Sequence, residues 1–473
     1  MIYDPKSMKV EEFISHEEIV ASMDYAKKNC ENEDLIDAII EKAGQNKGLT
    51  HREAAVLFAC ELPKQNRKIE GLAKRVKRDF YGNRIVLFAP LYLSNYCING
   101  CVYCPYHAGN PRITRKKLTQ EEIAKETTAL QDMGHKRLAI ESGEDPVNSP
   151  IEYILESIQT IYSLKHKNGA IRRVNVNIAA TTVENYKKLK DAAIGTYILF
   201  QETYHKERYE KLHPNGPKSD YAWHAEAMDR AMQGGVDDVG LGALYGLADP
   251  LYDFIGTLMH AEHLEATFGV GPHTISVPRI CPAEGVNLKK FPNAVGDDDF
   301  AKIVCCLRVA VPYTGLIVST RESRFSRERI LEVGVSQISG GSHTSVGGYD
   351  EPEPQGQNTQ QFEVSDTRPL DEVVRWLMER GHIPSFCTAC YREGRTGDRF
   401  MSLCKSGQIA NCCHSNALMT LKEYLIDYAG DATRNVGDKI IESELPNIPN
   451  EKIRGIVVKN LKKITEGTRD FRI

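Results

Sequence analysis

Over about the first 80 residues the apolar positions recur with a helical period. Leu35, Ile36, Ile39, Ile40 and Ala43 fall on one face. Thr50 and Glu53 stand at capping-box spacing ahead of Ala54, Leu57 and Phe58, which marks a helix start. The basic run Lys74–Arg78 reads as a solvated helix face, and Cys30 and Cys60 as buried small hydrophobes. From about residue 84 to 345 short apolar runs alternate with longer amphipathic ones. The runs Ile85–Phe88, Arg137–Glu141, Arg173–Ala179, Thr196–Phe200, Val239–Leu244, Thr274–Val277, Leu316–Ser319 and Ser336–Ser339 are predicted strands. Between them lie helical stretches such as Glu152–Lys165 and Thr119–Met133, the latter opened by a Thr119–Glu122 capping box.

Eight strand–helix repeats predict an α/β fold, a (β/α)8 TIM-type barrel over residues 81–345. An open doubly wound sheet is the rival, and the count of eight favours closure. A helical extension (1–80) precedes the barrel, and a mainly helical C-terminal domain (346–473) follows it. The stretch from Gly347 to about Val364, rich in Gly, Gln, Glu and Pro, reads as a boundary loop wrapped on the barrel. Leu370–Glu379 reads as a helix with Pro369 in its first turn. In a barrel of this kind the chemistry gathers at the C-terminal ends of the strands, which directs attention to the segments that follow each one.

Composition mostly excludes. Charged residues make up 26% and hydrophobic ones 41% of the 473, and the net charge of −4 favours neither nucleic acid nor an anionic membrane as partner. No apolar run reaches the length of a membrane span, and Ile2-Tyr3-Asp4-Pro5-Lys6 lacks the apolar core of a signal peptide. A cytoplasmic protein is therefore expected, and in that setting thirteen cysteines point to metal rather than to disulfides.

The cysteines form two sets. Cys97, Cys101 and Cys104 lie in a CxxxCxxC loop just after the first strand, with Tyr103 before the last cysteine. Three thiolates on one short loop can hold three corners of a cubane cluster. The fourth iron then stays open to a ligand such as S-adenosylmethionine (SAM), which offers an amine and a carboxylate. Zinc is the competing reading, although it normally takes four protein ligands in CxxC pairs. The second set is Cys387 and Cys390, followed after 22 residues by Cys413, with Cys404, Cys412 and His414 nearby. On spacing alone this set fits an iron–sulfur cluster or a zinc knuckle equally well. Two three-thiolate sets in one chain favour two clusters. Cys281, Cys305 and Cys306 have no ligand spacing.

The remaining candidates follow other strands. Glu141-Ser142-Gly143-Glu144 follows the second, and Gln201-Glu202-Thr203-Tyr204-His205 the fourth. The sixth ends at Arg279, with His273 at its opposite end, and the seventh leads to Arg321, whose planar fork suits a carboxylate. The eighth runs into the flexible exit Ser339-Gly340-Gly341-Ser342-His343.

The cysteine loop with its aromatic residue resembles the signature of the radical SAM superfamily, and the Gly143-Glu144 pair resembles that superfamily's GGE-type segment. The Gln201–Tyr204 stretch resembles the biotin synthase and thiazole tyrosine lyase branch. With the CxxC–x22–C set added, the chain as a whole resembles the [FeFe]-hydrogenase maturases that are tyrosine lyases. The resemblance implies that Cys97, Cys101 and Cys104 hold a [4Fe-4S] cluster whose electron cleaves SAM to a 5′-deoxyadenosyl radical. It implies that Ser142, Gly143 and Glu144 hold the methionine amine, and that Gln201 and Glu202 face the SAM ribose or the substrate. Arg321, with Arg279 next in line, would hold the carboxylate of L-tyrosine. Cα–Cβ cleavage would yield p-cresol and dehydroglycine. It further implies an auxiliary cluster on Cys387, Cys390 and Cys413, Cys413 being preferred to Cys412 by the match. An extra iron held partly by His273 would join it; His263, read as a surface residue of the preceding helix, is the second candidate. There dehydroglycine would become CO and cyanide, after a passage through the barrel that requires small or polar lining residues; Asn177, Gly240, Gly242 and Ser276 are compatible with that and equally with ordinary packing. A ferredoxin or flavodoxin as electron donor and other hydrogenase maturation proteins are the implied partners. A tyrosine lyase feeding thiazole synthesis and a non-catalytic iron–sulfur scaffold are the alternatives.

Overall fold

The computed structural model describes residues 2–352 and 354–473. Its barrel strands are β1 (Arg84–Ser94), β2 (Arg137–Ser142), β3 (Arg173–Asn177), β4 (Tyr197–Ile198), β5 (Val239–Gly242), β6 (Thr274–Ser276), β7 (Gly315–Val318) and β8 (Gln337–Ser339). Each pairs in parallel with the next, and β8 returns to β1 with Val86, Leu87 and Phe88 opposite Gln337, Ile338 and Ser339. The barrel is closed, which disposes of the doubly wound alternative. Helices connect the strands as the alternating pattern requires. One of them, Gln120–Asp132, carries the reciprocal Thr119–Glu122 capping box. Another, Ile151–Ser163, stops short of Lys165, which instead opens a two-stranded antiparallel hairpin with Gly169–Ala170.

Five helices between Val10 and Tyr81 form the N-terminal extension. They lie on the barrel's outer helices Pro250–Phe268 and Asp297–Ala310. The consequence shows in Pro250–Phe268, whose residues from Leu251 to Ala261 are all buried. A barrel's outer helix usually keeps one wet face; here the extension covers it, with Phe58 stacked on Phe254 at 5.0 Å. The basic run before β1 is not uniformly solvated. Lys77 is buried against helix Arg324–Val333 and donates to the Leu331 carbonyl, and burial pulls its pKa down to about 7. Cys60 is buried as expected, while Cys30 is half-buried.

A ninth strand, β9 (Ile383–Ser385), comes from the C-terminal part of the chain and pairs in parallel with Arg84–Val86 at the start of β1. The helices Leu370–Glu379 and Ile409–Asp427 pack against it, Asp431–Glu444 and Glu451–Thr465 pack on those helices, and Pro369 is the first helix's N-cap residue. The C-terminal part is thereby fixed to the N-terminal ends of the strands. The loop between the two parts, in which Glu353 lies outside the described residues, runs over the opposite mouth. There Glu126 accepts from the amides of Gly348 and Tyr349 at 3.1 and 2.8 Å, and the Tyr349 hydroxyl donates to the Pro90 carbonyl at 2.7 Å. Among the described residues no helix is long and apolar enough to cross a membrane.

Candidate active site at the two ends of the barrel

The upper cavity opens where β1 ends. Cys97, Cys101 and Cys104 line it together with Tyr103, Glu144, Glu202 and Arg321. Backbone bonds fix the cysteine loop: Ile98 N–H donates to Glu144 O at 2.9 Å, Gly100 to Asn215 O at 3.1 Å and Val102 to Leu212 O at 3.0 Å. A Cβ on Gly143 would strike the Tyr96 carbonyl oxygen, so glycine is required where the segment after β2 touches this loop. The Ser142 hydroxyl donates to the Gly143 carbonyl at 3.1 Å. Asn99 links two of the acids of the cavity. Its Nδ2 donates to Glu144 Oε2 at 2.6 Å, and its Oδ1 accepts from the amide of Lys218, whose ammonium is paired with Glu202 at 2.7 Å. Glu202 sits at φ 69°, a left-handed conformation that non-glycine residues rarely take and that its neighbours must impose. The Tyr103 hydroxyl meets His213 Nε2 at 2.8 Å.

Arg321 projects into this cavity. Its guanidinium lies over the Phe362 ring at 3.8 Å and gives Nη1 to the Cys281 thiol at 3.2 Å. Arg279 does not join it. That guanidinium is held by Glu322, by Asp297 at 2.9 Å and by the Val295 carbonyl at 2.9 Å, outside the cavity wall. The expectation that it seconds Arg321 is corrected by those two carboxylates. Gln201 is buried behind the wall, its backbone N–H bonded to Gly242 O at 2.9 Å. Sequence reasoning missed Asn99, which lies inside the cysteine motif, and Lys218, Cys281 and Phe362, which reach the cavity from segments with no motif of their own. It also passed over Glu141, although that residue directly precedes the Ser142-Gly143-Glu144 segment. Burial raises the Glu141 carboxyl well above the usual carboxylate range, against the opposing pull of Asn177 and Arg321.

The lower cavity lies at the first residues of the strands, where Arg84, Arg137 and His273 line it. Cys387, Cys390 and Cys413 enter it from the C-terminal part, joined by Cys404. Cys412 is not part of this wall; its sulfur lies 3.8 Å from Arg395 Nη1. His273 lines the same cavity from its end of β6, with Nε2 at 3.2 Å from the Tyr391 hydroxyl and Nδ1 at 3.4 Å from Asp238. His263 is neither on the surface nor part of this cavity wall. It is fully buried, bonded to Asp229 at 2.7 Å and to the Pro5 carbonyl at 2.8 Å, and stacked on Phe13 at 3.8 Å.

Burial pushes the Cys101 thiol up to about 12 and Cys390 to about 11. Metal binding must therefore release those protons, which is ordinary for thiolate sites. Three thiols on one loop, with a cavity lined by Glu144, Glu202 and Arg321 in front of them, suit a cubane with one free corner.

The Radical SAM superfamily matches residues 91–258, and the Biotin and Thiamin Synthesis associated domain matches residues 276–383. The 2-iminoacetate synthase of Escherichia coli (strain K12) is 30% identical over 351 residues, covering 73% of this chain and 89% of that protein. A crystal structure of HydG, a maturase of the [FeFe]-hydrogenase, is 55% identical, with a TM-score of 0.95 over 98% of this chain and 100% of that one. The chain belongs to the HydG family. HydG from Carboxydothermus hydrogenoformans gives a TM-score of 0.81 at 38% identity, over 96% of this chain and 99% of that one. As a HydG family member the chain is a radical SAM carbon–carbon lyase that uses an iron–sulfur cluster and SAM.

Proposed function

We propose that the chain cleaves the Cα–Cβ bond of L-tyrosine at the upper cavity and completes the conversion to CO and cyanide at the lower one, for [FeFe]-hydrogenase assembly. The carrying observation is the placement of two three-cysteine sets at opposite ends of one closed barrel. A cluster on Cys97, Cys101 and Cys104 would supply the electron that turns SAM into a 5′-deoxyadenosyl radical. Glu144, held by Asn99, takes the methionine amine of SAM, and Glu202, held by Lys218, faces its ribose. Arg321 holds the substrate carboxylate through the edge of its guanidinium. The walls exclude water from the radical, and bond cleavage releases p-cresol and dehydroglycine. Cys387, Cys390, Cys413 and His273 would hold an auxiliary cluster and an extra iron that carries CO and cyanide away as an Fe(CO)(CN) precursor of the hydrogenase cofactor. A ferredoxin or flavodoxin supplies the electrons, and other maturation proteins receive the product.

The test is anaerobic reconstitution followed by incubation with SAM and either tyrosine or tryptophan. Release of p-cresol and CO from tyrosine is the expected result. Release of p-cresol without CO, with iron for one cluster per chain, would favour the activity named for the Escherichia coli relative, whose 30% identity makes it the second reading. Absence of SAM cleavage by the reduced protein would leave only a scaffold.

A further inference from the structure

Three glutamates line the upper cavity, and two of them are already partnered. Glu144 takes the Asn99 amide at 2.6 Å, and Glu202 is paired with Lys218 at 2.7 Å. Glu141 differs: Asn177 hydrogen-bonds its carboxyl, but among the described residues no cation lies within ion-pair distance of it. Arg321 shows the complementary deficit. Its guanidinium has a thiol, the Arg279 carbonyl at 3.5 Å and an aromatic face as neighbours, its Nε is buried without a partner, and no described carboxylate pairs with it. The two side chains line one cavity and feel each other's charge without closing a salt bridge.

An α-amino acid carries one cation and one anion on a single carbon, and so completes both side chains at once. We propose that Glu141 receives the substrate's α-ammonium group while Arg321 holds its α-carboxylate. This rests on the lyase reading above and deepens it by naming the group that reads the amine. Glu141 directly precedes Ser142-Gly143-Glu144, so an ammonium held there lies beside the SAM segment. The chemistry needs that placement. An ammonium has no lone pair to stabilise a radical developing on nitrogen; a neutral amine has one. Transfer of one proton from the ammonium to Glu141 leaves a neutral amine and a neutral carboxyl, with no electron moved. Burial, which favours the uncharged carboxyl, drives this transfer in the same direction.

The test measures binding to the reconstituted, SAM-loaded full chain by equilibrium dialysis. The ligands are L-tyrosine, 3-(4-hydroxyphenyl)propanoate, which lacks the amine, and tyramine, which lacks the carboxylate. Glu141→Gln is expected to weaken tyrosine and tyramine about ten- to hundredfold and to leave the propanoate unchanged. Arg321→Met should do the converse, weakening tyrosine and the propanoate while sparing tyramine. Unchanged tyrosine binding in Glu141→Gln, or equal loss of all three ligands, overturns the proposal. The expected Arg321→Met pattern beside either of those results defeats the Glu141 assignment alone; parent protein that binds neither tyrosine nor its analogues defeats the lyase reading itself. Should Glu141→Gln fail to fold, Glu141→Asp decides by the same ratio of tyrosine to propanoate affinity.

Discussion

Gly143 marks how closely the segment after β2 approaches the cysteine loop. The clash a methyl group would make there is with the Tyr96 carbonyl oxygen, and Cys97 Cβ is 3.2 Å from the same point. Backbone cannot swing aside as a side chain can, so Gly143→Ala should displace Cys97 and weaken SAM binding at least about tenfold. Titration of SAM into the reconstituted variant checks this; unchanged affinity would mean that the loop yields freely. Replacing Cys97, Cys101 or Cys104 by Ala should abolish 5′-deoxyadenosine and every later product, since each removes one corner of a three-thiolate set. Formation of 5′-deoxyadenosine at the parent rate in any of the three would sink the assignment. These residues were legible because their spacing is local. Glu141 and Arg321 were not legible as a pair, because 180 residues separate them and only barrel closure brings both to one cavity. The Arg279 expectation failed for a related reason: Asp297 and Glu322, which engage it, belong to later segments whose approach no local pattern announces.

At the scale of elements, reciprocal capping boxes at Thr50–Glu53 and Thr119–Glu122 formed where their spacing placed them. All eight barrel strands fall within or across their predicted runs. The ninth was invisible, since Ile383-Pro384-Ser385 is too short to show a period and contains the residue least expected in a strand. Lys77 was hidden by its basic neighbours. The seam between the N-terminal extension and the barrel is a polar network: His51 Nδ1 meets Glu262 at 2.8 Å, His51 Nε2 meets Glu18 at 3.0 Å, and the Tyr3 hydroxyl donates to Glu262 at 2.6 Å. Burial opposes the charged imidazole, but hydrogen bonds and attraction to Glu262 and Glu18 outweigh it and raise the His51 pKa. A raised folded-state pKa makes the contribution complete below the unfolded value of 6.5 and removes it as pH climbs through the folded value. His51→Gln should therefore cost about 1.5–3 kcal/mol at mildly acid pH and distinctly less at about pH 9. Thermal midpoints of parent and variant across that range measure it, and a gap that is constant or grows with pH would contradict the charged-imidazole account.

The whole molecule is a barrel with a cysteine set at each mouth, and its architecture explains why the second set must come from so late in the chain. Cys97, Cys101 and Cys104 hang from the C-terminal end of β1, whereas β9 grips the opposite end of that same strand and delivers Cys387 and Cys390 directly behind it. Between the two mouths Gly240 and Gly242 are closely packed, one of the two readings their small size allowed: a Cβ on Gly240 would lie 2.6 Å from Thr274 Oγ1, and one on Gly242 2.6 Å from the Phe200 ring. If the chemistry divides between the mouths, Cα–Cβ cleavage needs only the upper set and CO formation needs the lower. The double variant Cys387→Ala with Cys390→Ala should still release p-cresol from tyrosine while yielding little or no CO. His273→Ala should be milder, because it leaves the three thiols in place, and it should lower CO more than p-cresol. Both products are measured in one reaction, with circular dichroism for the fold and the iron content of the upper set as controls. Parallel loss of p-cresol and CO, with the fold and the upper cluster shown intact, would defeat the division of labour, because a lesion confined to the β9 end would then be reaching the chemistry at the other mouth.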